Sequence, residues 1–471
     1  MDQHDFRSEI IRKTTGMIRT FLDELANETS TYKSLHNLTE QVEHQYHGRF
    51  LIELIQNAHD AMNDNNVPGD QGRLEIMIDQ DESPHGALYV VNDGLPFTRS
   101  NFECLSQLGQ SDKDPEKSIG NKGIGFRSVL EITDAPEVYS RKLPESKAFD
   151  GYCFLFSPSV TKQFEEPIMA LLNGNDKPLS PLDNRTPLVE WSQEKLRNFR
   201  ALYCHKGSSW LANELKYLSP YLLPIPTTSD HFNQRIRDFQ KTGFASVISI
   251  PFKNDKAKRL AIEMLDHLDE NTILFLDRVK SLVLTSGSKQ RLVERKASRL
   301  NDLHDGQEIT LKVVEDGTDK KINKRYWLWT QEIGGDPNPA EREEIAGAVA
   351  DLPGRWPELR KAQVSLAVKI GEKPEEGRIN IYLPTGLPTG CCAHFSGPFY
   401  GDMSRTDVDF KKPFNEILFK RIGRNAIDIV LESLAGKGLE EAQAILDIVA
   451  PSSEEPRAGE AWFSVLGSIC E

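Results

Sequence analysis

Cysteine is scarce in this chain, and positive charge is outweighed. Six cysteines are spread over 471 residues, adjacent only at Cys391-Cys392 and nowhere spaced C-x-x-C. A structural zinc site therefore has no framework, and the cysteine usage suits a reducing compartment. No run of about eighteen apolar residues occurs, which argues against a membrane-spanning helix and a membrane partner. The start, Met1-Asp-Gln-His-Asp5, is too polar for a signal peptide, so a soluble cytoplasmic protein is expected. The formal charge of −14 argues against nonspecific nucleic-acid binding and leaves only a local basic patch for such a partner. At 471 residues the chain exceeds one ordinary core, so two or three domains are expected.

What is present centres on Phe50-Leu-Ile-Glu-Leu-Ile-Gln-Asn-Ala-His-Asp-Ala-Met62. Leu51, Leu54, Ile55, Ala58 and Met62 recur at helical spacing, which predicts an amphipathic helix against a large core. Glu53 and Asn57 stand four apart and so share a face. A carboxylate and a carboxamide so placed suit a water and a hard cation such as Mg²⁺, which takes oxygen ligands. Taken alone, such a pair is ordinarily a solvated helix face.

Two more stretches follow. Ala87-Leu-Tyr-Val-Val-Asn-Asp-Gly-Leu-Pro-Phe97 reads as a buried strand ending in a polar turn. Ser118-Ile-Gly-Asn-Lys-Gly-Ile-Gly-Phe-Arg-Ser-Val-Leu130 reads as a glycine-rich loop running into a helix, where backbone N–H groups at Gly120, Gly123 and Gly125 can approach an anion. No strand runs directly into these glycines and no Gly-Lys-Ser/Thr follows, so neither the dinucleotide-binding nor the P-loop order fits.

The order of these motifs resembles the Bergerat nucleotide fold shared by the B subunit of gyrase, the 90-kDa heat-shock chaperones, histidine kinases and MutL. Phe50 to Ala61 is similar to the chaperone helix and Gly120 to Ser128 to its glycine loop. Leu108-Gly-Gln-Ser-Asp-Lys113, Ile119 to Val129 and Ile132-Thr-Asp134 resemble the sacsin-type branch. The resemblance implies ATP and Mg²⁺ as cofactors, with Glu53 catalytic and Asn57 on the metal. It implies nucleotide contacts at Asn57, Asp60, Asn92, Asp93, Gly94, Gly120, Lys122, Gly123, Ile124, Gly125 and Phe126. The family's adenine-reading aspartate stands two before a glycine, which places Asn92 there, with Asp93 in reserve because side chains alternate along a strand. An asparagine can accept from the adenine amino group and donate to the ring nitrogen. The change leaves affinity and base selectivity open.

Thr98 to Lys117 reads as a lid between two half-sites, with Ser111 and Lys113 within reach of phosphate oxygens or simply exposed. Lys122 is the stronger phosphate contact. Gly243 to Phe252 resembles the strand that closes the Bergerat sheet, with Ser246 where a threonine helps order an adenine-bound water. Pro158 to Asp230 reads as an elaboration with short helices. Alternating patterns at Val279–Leu284, Glu308–Val314, Tyr326–Thr330, Gln363–Ile370 and Arg378–Leu383 predict an antiparallel sheet.

Leu383 to Gly390, His394 to Tyr400 and Asp402 to Asp407 resemble the sacsin middle segment. Ser404-Arg405 is similar to the chaperone loop whose arginine reaches the γ-phosphate. Arg405 could instead pair with Asp402, Asp407 or Asp409. His394 and the cysteine pair receive no role.

The expected class is α+β. A Bergerat-type α/β sandwich ATPase domain spans 1–255, with a lid at about 98–119 and an insertion at about 158–240. A second α/β, transducer-like domain follows at 256–430, then a helical segment at 431–471. The expected activity is ATP hydrolysis that drives lid closure and domain rearrangement, through a homodimer and with a client protein or effector subunit as partner. Alternatives are the ATPase head of a DNA-linked or antiviral defence system and a nucleotide-gated scaffold that does not hydrolyse.

Overall fold

The computed structural model describes residues 5–34, 36–37, 48–62, 71–82, 84–105, 125–300, 306–316, 321–336, 338–371, 374–401, 407–435 and 437–451. The elements within them form a mixed α/β structure on one large sheet. The strands are β1 (Arg73–Asp79), β2 (Ala87–Asn92), β3 (Glu137–Ser140), β4 (Phe154–Leu155), β5 (Ile225–Pro226), β6 (Ser246–Pro251) and β7 (Ser281–Ser286). They continue with β8 (Lys289–Arg299), β9 (Gln307–Glu315), β10 (Lys321–Gly334), β11 (Lys361–Ile370), β12 (Arg378–Ile381), β13 (Leu383–Pro388) and β14 (Ala393–Ser396). Their order across the sheet is β13-β12-β14-β11-β10-β9-β8-β7-β1-β2-β6-β3-β4-β5.

β2 is buried at every position because both of its faces are covered. Alternation sends Leu88 and Val90 to the face where the Phe50–Ala61 helix packs Leu51, Leu54, Ile55 and Ala58, beside Ile248 and Ile250 of β6. Tyr89 and Val91 point the other way, into Phe232, Ile236 and Phe239. A continuous apolar strand flanked by β1 and β6, both antiparallel to it, is thus the axis of the first half.

Strand pairing runs through the boundary that the sequence suggests near 255. The Asp255–Asp266 helix carries the chain across to β7, which pairs in parallel with β1, Leu74 opposite Leu282 and Ile76 opposite Leu284. A parallel neighbour requires such a crossover. Ala257, Ala261 and Leu265 of this helix and Leu282 and Leu284 of β7 lie in the same core as the Phe50–Ala61 helix.

Beyond β7 the long antiparallel strands β8 to β11 extend the sheet, and β14 inserts between β11 and β12. β8 does not stand out in the sequence because it is charged. Half-exposed on one face, it is held by its pairing with β7 and β9 rather than by an apolar pattern. Trp327, Trp329, Val364, Leu366 and Val368 form a second core with the Pro413–Ser433 and Leu439–Asp447 helices.

The N-terminal helix, Phe6–Ala26, is capped by Asp5, whose carboxylate accepts from Ser8 N–H at 3.2 Å. Its Ile18, Phe21, Leu22 and Leu25 pack against Phe164, Ile168, Leu171, Phe199 and Leu215 of the 158–240 stretch, where the sequence predicts an insertion. Trp191 Nε1 donates to Asp23 and Tyr203 O–H to Leu25 O, so the insertion forms a seat for the first helix. Among the described residues no helix is long and apolar enough to cross a membrane.

Candidate functional site

The Phe50–Ala61 helix presents Glu53, Gln56, Asn57 and Asp60 at positions i, i+3, i+4 and i+7, a polar stripe along an otherwise apolar helix. Glu53 is 5% exposed, and among the described residues no hydrogen bond reaches its carboxylate. Asn57 and Asp60 are half-buried. The stripe supplies only oxygen and amide groups, a donor set that suits a hard cation and its water shell.

Beside this helix lies Gly125–Glu131, where the sequence predicts the helix after the glycine loop. It is a 3-10 turn. Val129 and Leu130 pack into the core of the Glu53 helix, Phe126 packs against their edge, and Glu131 accepts from Gly48 N–H at 2.7 Å just before that helix begins. The last glycine of the loop thus arrives next to the Glu53 helix. Ser111, Lys113, Gly120, Lys122, Gly123, Ile124 and Arg405 lie outside the described residues, as does most of the lid.

The third component is the end of β2. Asn92 Nδ2 donates to Ser246 Oγ at 2.9 Å across the β2–β6 pair, and Asn92 Oδ1 accepts from Gly94 N–H at 3.1 Å. Asp93 turns the other way. Its carboxylate accepts from Gln71 N–H, Arg73 N–H and Arg73 Nε at 2.8 to 3.0 Å, so it fastens the start of β1. Gly94 passes close to the C-terminal end of the Glu53 helix, where a Cβ on it would lie 2.4 Å from Ala61 O. Leu95 N–H donates to that same carbonyl. Only glycine permits this approach, and through it the Asn92 turn is held against the helix that carries Asn57 and Asp60.

Two groups escaped the sequence reading. His59 Nε2 lies 3.1 Å from Asp277 Oδ1, and Arg278 Nη1 donates to Met62 O at 3.3 Å, so the end of the Glu53 helix is bonded to the turn that enters β7. Burial works against charge on His59, but Asp277 and Asp60 outweigh it and hold its pKa above the ordinary value. In the second half, His394 Nε2 contacts Glu375 Oε1 at 2.9 Å while its Nδ1 accepts from Arg378 N–H. Tyr326 O–H reaches the same carboxylate oxygen at 2.7 Å, and Lys369 is 3.5 Å from Glu375 Oε2. Partners this far apart in the chain leave no local signal.

A model of the sacsin domain matches residues 31–169, which contain Glu53, Asn57, Asn92 and the glycine loop. Human sacsin is 34% identical over 132 residues, covering 25% of this chain and 3% of that protein. Protein NO VEIN of Arabidopsis thaliana is 31% identical over 131 residues, covering 26% of this chain and 4% of its own length. Over this stretch the chain is sacsin-like. The sacsin-like stretch ends before Ser246, so the partner of Asn92 comes from outside it. The chain spans only a few per cent of these two relatives, which are far longer.

Proposed function

We propose that this chain is a sacsin-like ATPase unit of Bergerat type that binds ATP with Mg²⁺. The carrying observation is the Gly94–Ala61 contact, which sets the Asn92–Ser246 pair at the end of the helix bearing Glu53, Asn57 and Asp60. An amide and a stripe of oxygen donors thus lie on either side of one glycine, which supports base reading by Asn92.

In this reading the adenine lies on Asn92, with Ser246 holding the amide, and the phosphates lie toward the glycine loop that ends at Gly125. Mg²⁺, when bound, would supply positive charge against the phosphates. Asn57 Oδ1 would hold it, with Asp60 one turn further along. Glu53 takes the part of a base that polarises the attacking water, a role suited to a shielded carboxylate. Lys122 and Arg405 are assigned to the phosphates, Arg405 because its fixed fork of donors matches phosphate oxygens.

Lid closure over the nucleotide then moves the second half relative to the first and serves a chaperone-like output, with a homodimer as the working form. Calorimetric titration of the full chain with ATP tests the reading. Binding should require Mg²⁺, and Asn57→Ala should remove the Mg²⁺ requirement together with most of the affinity. Equal binding with and without Mg²⁺ in the wild type would overturn the assignment.

A further inference from the structure

The Pro413–Ser433 and Leu439–Asp447 helices lie side by side on β11, over the face of Val364, Leu366 and Val368. Phe414, Leu418, Ile422, Ala426 and Ile429 of the first and Ala444 and Ile445 of the second are buried in that core. The opposite side of each helix turns away from the sheet, and there it carries further leucines. Leu431 is 74% exposed and Leu439 90%, the two highest values for a large hydrophobic side chain among the described residues, and Leu434 and Leu446 are exposed beside them. Leu439 and Leu446 stand seven apart, on one side of their helix. A single exposed leucine is ordinary, but four on adjoining helices make a surface that association would cover.

Beside Leu431 runs a charged row. Lys420, Arg424, Asp428 and Glu432 follow at four-residue intervals, so they form one ridge along the helix, and all four are exposed. Two cations come first, then two anions. We propose that this face is where two copies of the chain meet, antiparallel about a two-fold axis that passes between Arg424 and Asp428. The proposal rests on the homodimer of the reading above and gives it a contact surface.

A two-fold contact presents one patch to its own copy, so the patch must carry its counter-charges in reversed order. The ridge does so. Against a reversed copy, Arg424 meets the partner's Asp428 and Lys420 meets the partner's Glu432, and symmetry makes each contact twice. A parallel copy would set cation on cation and anion on anion. A slip of one turn would set either Arg424 or Asp428 against its own copy. The charges thus fix direction and register, while Ile427 and Leu431 on the next ridge and Leu439 on the neighbouring helix supply apolar area.

Sedimentation equilibrium of the full chain, with and without MgATP, tests the interface. The wild type should be a dimer. Arg424→Asp and Asp428→Arg should each weaken dimerisation on the order of ten-fold or more, because either change turns both Arg–Asp contacts into like-charge pairs. An equimolar mixture of the two variants should recover dimers of near wild-type strength, since every cation again faces an anion. Leu431→Asp should weaken the dimer as well, and an unchanged melting temperature at low protein concentration shows that each variant folds. Single variants that dimerise as tightly as the wild type would overturn this surface and leave the homodimer standing. Weakened variants whose mixture stays monomeric would overturn the antiparallel pairing. A wild type that is monomeric under both conditions would overturn the homodimer itself, and with it this interface, leaving the face to another protein or to residues 452–471.

Discussion

His59 Nε2 and Asp277 Oδ1 lie 3.1 Å apart although 218 positions separate them in the chain. One sits two residues past Asn57 on the Glu53 helix, the other in the turn that opens β7. Since β7 pairs with β1 on one side and β8 on the other, the pair ties the candidate nucleotide helix to the strand where the second half of the sheet begins. Asp277 is solvent-exposed, so the contact should contribute about 1 kcal/mol, below the range for shielded charged hydrogen bonds. A double-mutant cycle with His59→Ala and Asp277→Ala, read by urea unfolding, should show a coupling energy of that size. Strict additivity would mean the two side chains are merely neighbours.

Gly94 is expected to tolerate no side chain. Its Cβ would collide with Ala61 O, and the helix and the β2 turn are both anchored in the main core, so neither can retreat cheaply. Gly94→Ala should cost about 1–3 kcal/mol, the usual penalty of overpacking. Thermal melting measures it, and a melting temperature equal to that of the wild type would show that the two segments are not in contact.

Glu375 supplies a pH prediction. Burial pushes its carboxyl up, but His394, Tyr326 and Lys324 outweigh burial and hold it down to about 2, against an ordinary value of 4.5. Because the folded pKa is the lower one, the stabilisation is complete above about pH 4.5 and is lost as pH falls toward 2. The linkage amounts to up to about 3 kcal/mol. Urea unfolding at pH 7 and pH 3 should show a smaller acid loss in Glu375→Gln than in the wild type. Parallel losses in both proteins would place the acid sensitivity elsewhere.

Asn415 clamps both ends of the segment that contains Arg405. Fully buried at the start of the Pro413–Ser433 helix, it accepts from Tyr400 N–H at 2.8 Å and donates to Tyr400 O at 2.6 Å and Asp409 O at 2.8 Å. Asn415→Ala leaves Tyr400 N–H unpaired, while Tyr400 O and Asp409 O keep their bonds from Asp409 N–H and Lys412 N–H, and it should cost about 1–3 kcal/mol in unfolding free energy. It should also lower ATP turnover more than ATP affinity if Arg405 works from that segment. Loss of binding with unchanged turnover per bound nucleotide would point away from Arg405.

The parts that were legible are those with a local period. Leu51 to Met62 announces its helix at 3.6-residue spacing, and the alternating runs that became β9, β10 and β11 announce theirs at two. β8 carries charges where an apolar face would mark a strand, and its partners are distant. The short helices of the insertion bury their faces against Ile18, Phe21 and Leu22, which lie over a hundred residues earlier. At the site, Asn92, the residue singled out by the spacing to Gly94, is bonded to Ser246, and strand alternation sends Asp93 the other way. The bond from Gly94 N–H to the Asn92 amide was not legible, because it depends on where one backbone N–H points. Nor was the bond between His59 and Asp277.

The most direct measurement is steady-state phosphate release from MgATP by the purified chain, with Glu53→Ala alongside. The account predicts slow but measurable release by the wild type. The variant should bind MgATP with similar affinity and turn over about a hundred-fold or more slowly, the usual loss when a positioned base is removed. Equal rates in the two proteins would contradict the assignment of Glu53 and, with it, the claim that this helix carries the chemistry.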